Sequence, residues 1–400
     1  RRFIWSIIML LLFGIVLLRL PIVQTYLTSE LTKYISEVTN TKVTAERIDI
    51  NPFSGIILQN FNIIENEHDT IIHTSALNIS LQKNLFFLFT NELSFKYLGL
   101  KGLILNIKTN EGESISNLNR FLGKLIKKSN DNKPGKPLIL DVKEIDLSDI
   151  HILITDDNKG VMNEIKLAGG KIDINALDLD CLVFDINEIV LDRPSFNNRI
   201  FKYDCTTTDE LAIPTVDQKP EIAVLPELTV RELIVKDGYF SKANELLVTE
   251  TKFKQYLDYN NFYFDKINLY LRDVSFKNGS DFFGRLETLN AIDNTGFNIT
   301  DISADTIQVN ANSAELKSFS IGIGKTVIQD HLKFSYADFS AFEDFTRNVI
   351  INAELKNTVV YIEDLVHFVK SLSEVGFVKN NIHETIRLNG KYYGKINNLG

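Results

Sequence analysis

Cysteine is nearly absent: Cys181 and Cys205 are the two in 400 residues. That is too few for a disulfide-built scaffold, and their spacing matches no zinc motif. In an oxidising compartment the two could bridge neighbouring strands, but sequence alone carries no distance with which to decide it. Positive charge is in deficit as well. The 43 Lys and Arg residues stand against 52 Asp and Glu, a formal charge of -9, so there is no electrostatic footprint for a nucleic acid. The acidic residues form no long run, which points to a solvated surface and not to an acidic tail. Long hydrophobic runs are confined to one place, the first twenty residues.

Arg1 and Arg2 precede an uncharged apolar run from Phe3 to Leu18. Extended through Arg19 and Leu20, it would span roughly 27 Å as a helix, close to the hydrocarbon thickness of a bilayer. Arg19 is compatible with a span because its stem can lie along lipid while its charge reaches the headgroups. The paired arginines predict a cytoplasmic start, with everything after Pro21 on the other side. A cleaved signal peptide needs a small-residue site, and Arg19, Leu20 and Pro21 occupy its place. Residues 1–20 are therefore expected to be a retained transmembrane signal anchor, with a cleaved peptide and a buried core helix as the alternatives. The start at Arg1 without methionine, and the stop at Gly400 within an alternating pattern, suggest a piece of a longer protein.

From Ile22 the apolar residues Tyr26, Leu27, Leu31, Tyr34, Ile35 and Val38 recur at helical spacing, predicting an amphipathic helix over residues 21–40. Its polar face is poor in Lys and Arg for a membrane-surface helix, so it is expected to cap the region that follows. After Val43 the composition is that of strands. One pattern recurs, apolar at the first, third, sixth and eighth positions: Ile56/Leu58/Phe61/Ile63, Leu98/Leu100/Leu103/Leu105, Ile145/Leu147/Ile150/Ile152 and Ile172/Ile174/Leu177/Leu179. It returns at Leu228/Val230/Leu233/Val235, Leu269/Leu271/Val274/Phe276 and Phe297/Ile299/Ile302/Ala304. A helix scatters these positions around its axis. A strand accommodates each half, and a bulge in the middle keeps both halves on one face while bending the strand. Two strands joined by a tight turn would leave the same signature. The bulge reading predicts a mainly β fold over residues 41–400, a long curled antiparallel sheet with an apolar concave face. Interruptions are expected as a short helix at Leu118–Ile126, a loop from Lys127 to Pro137, an extended linker from Thr206 to Pro226 and a helix at Ile362–Val369.

The candidates for chemistry are weak. Gly322, Gly324, Lys325 and Thr326 resemble a phosphate-binding loop, but Phe319 stands where the first glycine belongs and a strand follows where a helix is needed. His383 and Glu384 begin like a zinc-protease helix, with Arg387 in place of the second histidine. Asp156, Asp157, Asn158 and Gly160 read as a hairpin turn sooner than a calcium loop. No nucleophile motif accompanies any of the six histidines. The chain is expected not to be an enzyme, and no cofactor or metal is expected.

Taken together, the anchor, Pro21 to Val38, Thr41 to Ile50 and Phe53-Ser-Gly-Ile-Ile-Leu-Gln-Asn-Phe-Asn-Ile63 resemble the opening module of the AsmA-like family. Within that family the similarity is to TamB-like translocation and assembly proteins of the Bacteroidetes type. Lys133-Pro-Gly-Lys-Pro137 into Leu138 to Asp156, Leu228 to Phe240 ending in Lys236-Asp-Gly-Tyr-Phe240, and Arg387-Leu-Asn-Gly-Lys391 extend the resemblance over nearly the whole chain. It implies an inner-membrane, single-pass protein with its bulk in the periplasm and its sheet folded into an open, taco-like groove. Phospholipid would move along that groove towards the outer membrane, and an outer-membrane barrel partner is also implied. The alternative within the same resemblance is a non-enzymatic scaffold that offers sheet edges to unfolded barrel strands. The residues expected to line a lipid groove are Leu77, Ile79, Leu81, Leu103, Leu105, Ile107, Ile150, Ile152, Ile154, Ile172, Ile174, Leu177, Leu179, Ile267, Leu269 and Leu271. Each could equally be a core residue under a helix or a second sheet. A surface adhesin would conflict with a retained anchor.

Overall fold

The computed structural model describes residues 9, 13, 16, 17, 19–51, 55–66, 69–81, 92–129, 139–178, 182–201, 226–247 and 256–395. The expected anchor lies largely outside them, as do the loop after residue 129, the linker before Pro226 and both cysteines. Among the described residues no helix is long and apolar enough to cross a membrane. The fold is mainly β, with sixteen strands among the described residues and few helices. The chain divides into two compact units, Arg1–Leu177 with Ser195–Lys202, and Asp178–Pro194 with Tyr203–Gly400. In neither does the strand order close into a barrel.

In the first unit, helix α1 (Pro21–Thr39) leads into β1 (Lys42–Thr44), β2 (Arg47–Asn51), β3 (Gly55–Asn66), β4 (Asp69–Leu81), β5 (Glu92–Thr109), helix α2 (Asn117–Ser129), β6 (Ile139–Asp156) and β7 (Val161–Asp178). The order is β1-β3-β4-β5-β6-β7, with β2 also on β3. An all-antiparallel sheet was expected here, and one correction is needed: β5 and β6 pair in parallel. Parallel neighbours need a crossover of a dozen or more residues. The helix anticipated around Leu118 is part of that crossover. Asn117 ties α2 to β5, its Oδ1 accepting the Lys108 and Leu118 amides at 2.9 and 2.7 Å. Arg120 reaches Glu65 of β3 at 3.1 Å.

Helix α1 forms where its periodicity places it but turns an unexpected side inward. Gln24 and Thr28 are buried, whereas Ile22, Tyr26, Leu31 and Tyr34 are exposed. The reason lies in what α1 covers. Outer strands carry amide groups that need acceptors; Thr28 Oγ1 accepts the Ile48 amide and Ser36 Oγ the Val43 amide, both at 3.0 Å. Ile35 of α1 and Leu118 and Phe121 of α2 then close over Val43, Ile63 and Ile71 at one corner of the sheet.

In β3, β5 and β6 the repeated apolar pattern is a kink within a continuous strand, not a turn between two; the described part of β7 carries no such left-handed residue. Asn60, Gly102 and Asp149, each second in the middle pair of its pattern, adopt left-handed backbone with φ of 45°, 62° and 54°. They lie at one level. Gln59 and Phe61 pair with Ala76 and Thr74, these with Lys101 and Leu103, and Lys101 with Ser148. Because neighbouring strands take up the extra residue at the same level, the register passes through unshifted and the sheet bends along that line.

The second unit holds the first part of β8 (Val183–Ile200), then β9 (Glu227–Asn244), β10 (Asn261–Lys277), β11 (Asp281–Asp293), β12 (Asn298–Asn310), β13 (Ser313–Ile323), β14 (Thr326–Ser335), β15 (Ile350–Tyr361) and β16 (Thr385–Gly394). From β9 to β16 each pairs with the next in sequence. Asp273 and Asp301 again sit left-handed in the middle pair, with φ of 52° and 51°. Here the pairing does shift, between Arg272 and Ser275 and between Thr300 and Ser303, so these are bulges that offset one strand against its neighbour. Helices α3 (Phe345–Asn348), α4 (Ile362–Phe368) and α5 (Gly376–Asn380) lie between β14 and β16 in the chain.

Candidate functional site

Cross-strand partners share a face, so the register shows which expected residues come together. In the first unit one unbroken row runs Ile56, Ile79, Leu98, Ile145, Ile172, and a second beyond the kink runs Ile63, Ile72, Leu105, Ile152, Ile165. Leu58, Leu77, Leu100 and Leu147 form another, and Ile107 pairs with Ile154. Leu103 faces Thr74 and Ile150 faces Leu167. In the second unit Leu233, Leu271, Leu286, Ala304 and Phe319 are successive partners, as are Val235, Leu269, Leu289 and Ile302. Ile267 is opposite Gly238. Leu81 is placed by its backbone opposite Phe95, and Leu179 lies outside the described residues. Leu177 follows Ile174 in β7 with no left-handed residue between them.

Burial differs among these residues, and Leu269 and Leu271 pack against the buried cluster of Leu286, Ala304 and Phe319. Ile150 and Ile174 are buried at 6% exposure each. Leu77, Ile79, Leu103, Leu105, Ile107, Ile152, Ile154, Ile172, Leu177, Ile267, Leu269 and Leu271 are only half-buried. The helices on the first unit pack at α1 on β1 and β2, and at α2 on β5 and α1. They cover the Ile63–Ile71 corner; the rest of the rows is a sheet face whose aliphatics keep part of their surface open. A fully covered Leu or Ile would contribute about 1.5–3 kcal/mol over an exposed one. Half-burial leaves part of that to whatever lies on the face.

The polar clusters are structural ties. The Gly322–Thr326 stretch is the turn between β13 and β14, and its amides are already occupied. Asp364 Oδ2 on α4 accepts the Lys325 amide at 2.9 Å and the Thr326 amide and hydroxyl at 2.8 Å each. Gly324, with φ of 58°, has no room for a Cβ, which would stand 2.5 Å from Asp364 Oδ1. Nearby, the buried Asp293 accepts the Thr295 and Phe297 amides through Oδ1 at 2.8 and 2.9 Å and meets His367 Nε2 through Oδ2 at 2.6 Å. His367 is stacked on Phe297 with ring centroids 4.1 Å apart. Burial opposes the charge of Asp293, yet these hydrogen bonds and that from the Thr295 hydroxyl outweigh it and hold the carboxyl below its usual range. Asp156 Oδ1 accepts the Asn158 and Lys159 amides at 3.1 Å each, making the β6–β7 turn. His383 is exposed beside Glu363. Among the described residues no three or more His, Cys, Asp or Glu gather as a metal site.

One cluster was not legible in the sequence. On the face of the sheet opposite the Ile56–Ile79 row, where Asp49 pairs with Ile57 and Ile57 with Asn78, is an open pocket of about 580 Å³ lined by Arg19, Gln24, Arg47, Asp49, Ile57, Asn78 and Tyr97, among others. Its residues come from α1, β2, β3, β4, β5 and, for Arg19, the helical stretch just before α1, too far apart in the chain to make a motif. The signal available was Gln24 on the otherwise apolar first turn of α1. Comparison with protein-family models, with curated proteins and with solved structures finds no match to this chain.

Proposed function

We propose that the chain is an inner-membrane-anchored periplasmic protein that carries phospholipid along an apolar β-groove towards the outer membrane. In this reading it is a TamB-like member of the AsmA-like family, and acts without catalysis or a cofactor. The observation that carries the reading is the set of half-buried apolar rows in register across neighbouring strands of each unit. An acyl chain gains roughly 0.8 kcal/mol for each methylene it keeps from water. A continuous apolar face bent along a kink line would let tails slide without exposing them, leaving the headgroup in solvent. The bend supports the curled, taco-like form of the groove, and the exposed Met9, Phe13, Val16 and Leu20 are consistent with a segment that lipid covers.

The test replaces Leu100 with a photo-crosslinking amino acid and follows capture of phospholipid in cells. Ile152→Asp places a carboxylate in the second row, where burying it without a partner is costly. Lipid capture at Leu100 should fall at least about tenfold while the thermal melt of the purified protein remains cooperative. Equal capture in wild type and a folded variant would overturn the proposal. A second reading, a scaffold for outer-membrane β-barrel proteins, is favoured by β16, which is exposed along most of its length, with Tyr393 at 76%. On that reading Ile152→Asp leaves copurification with a barrel partner intact and lipid distribution normal.

A further inference from the structure

We infer that the outward face of α1 is a membrane-docking surface, seated in the headgroup layer of the bilayer from which the proposed anchor emerges. The inference rests on the anchored reading of residues 1–20 and adds a second, broader attachment beside the span.

The side of α1 that the fold uses is its polar one. Gln24 and Thr28 are buried, Thr28 and Ser36 take the amides of Ile48 and Val43, and Gln24 bonds Arg47 and Asp49. At about 100° per residue, Ile22, Tyr26, Tyr34 and Leu31 fall on the opposite half of the helix, with Glu30, Lys33 and Glu37 among them. Ile22 is 83% exposed, Tyr26 62% and Tyr34 63%. A helix packed on a core in water turns its polar side out, and α1 does the reverse. Its scarcity of Lys and Arg therefore does not weigh against a membrane surface, because protein, not water, occupies its polar side.

The residues before α1 indicate what covers the other side. Met9, Phe13, Val16 and Leu20 are exposed, and the first three are helical. Leu20 then leaves the helix with φ of -67° and ψ of 130°, and Pro21 opens α1. That break lets α1 run at an angle to the segment before it, and a helix turned off the end of a span has the bilayer surface beside it. Tyrosine suits that layer, with its ring at the apolar boundary and its hydroxyl among the headgroups. Lys33 can extend its charge to water along its stem. Glu30 and Glu37 stand three residues before it and four after, close enough to balance that charge. Two glutamates against one lysine give no attraction for anionic lipid, so the face fits a zwitterionic surface.

The experiment uses tryptophan fluorescence of the full chain in phosphatidylcholine vesicles. Trp5→Phe removes the one native tryptophan, and Tyr26→Trp and Tyr34→Trp then report on α1, one at a time. Phe13→Trp is the reference for the span and Tyr393→Trp, on exposed β16, the reference for water. A docked helix sinks about 5–10 Å into the boundary between headgroups and acyl chains, so lipid brominated on its acyl chains should quench the two α1 reporters at least about twofold more than Tyr393→Trp. Acrylamide should quench them correspondingly less, and adding phosphatidylglycerol should strengthen neither effect. Ile22→Asp, at an exposed position, should return Tyr26→Trp towards acrylamide. If both α1 reporters match Tyr393→Trp with both quenchers, the docking is overturned, while the anchor stands provided that Phe13→Trp is still quenched by lipid. Loss of lipid quenching at all three positions overturns the anchored reading itself. Shielding from acrylamide without quenching by lipid would put a second copy of the chain on this face and overturn the assignment to a bilayer. Docking that appears only with phosphatidylglycerol would overturn the zwitterionic assignment. None of these signals reads lipid capture at Leu100, so the conduit stands or falls separately.

Discussion

Asp293 shows how a buried charge is kept by its hydrogen bonds. A carboxylate almost without solvent access is costly unless fully bonded, and its partners are two amides, a hydroxyl and His367. Because its folded pKa lies below the ordinary value of 3.8, the stabilisation it contributes is complete above that value. It is lost as pH falls through the lower folded one. Asp293→Asn should therefore be less stable than wild type at pH 7, by about 1–3 kcal/mol, and urea titrations should show the gap narrowing as pH drops below the ordinary carboxylate value. A gap that is constant down to pH 2 would mean that the charge contributes nothing. The same logic applies at the turn from Gly322 to Thr326, where Asp364 supplies the anion for the Lys325 and Thr326 amides.

Strands are where the apolar code and the backbone meet. The pattern of two apolar pairs offset by one residue needs a backbone that absorbs the extra position, and the residues found there are those that tolerate left-handed φ: Asn60, Gly102, Asp149, Asp273 and Asp301. Gly102 is the most constrained, since a Cβ would meet Ser75 Oγ at 2.4 Å. Gly102→Ala should cost about 1–3 kcal/mol, whereas Asp149→Gly, at a similar φ without the loss of a tight fit, should change stability by less than about 1 kcal/mol. Equal and small effects in denaturant titrations would show that the kink is not sterically fixed. Helix α1 illustrates the opposite case. Its spacing marked a helix, but the side it buries was decided by the outer strands, whose amides needed Thr28 and Ser36 more than its aliphatics needed cover.

At the scale of the whole molecule, the two units share one design of in-register apolar rows on kinked strands. If lipid passes along both, each is an obligatory stage, and interruption of either should suffice. Leu271→Asp in the second unit should then abolish outward lipid transfer to the same extent as Ile152→Asp in the first, and the double variant should be no worse. An additive loss in the double variant, measured as the rate of labelled phospholipid reaching the outer membrane, would indicate independent binding surfaces instead of a path.

The sequence by itself determined the strand-rich class and the apolar alternation, because these are local properties of a pleated backbone. That the offset at Asn60, Gly102, Asp149, Asp273 and Asp301 is a kink and not a turn, and that Asp237, Lys266 and Ser318 kink without it, was decided by the fold. Leu105 and Ile152 could be placed on the apolar face by their spacing alone. That they pair with each other in parallel was decided only by the tertiary structure, since the crossover through α2 is a long-range choice invisible in either strand. So too was the meeting of Arg19, Gln24, Arg47 and Tyr97 around one pocket, and of Asp293 with His367 across 74 positions of chain. Periodicity reports which way a side chain points; only the folded chain determines what it meets there.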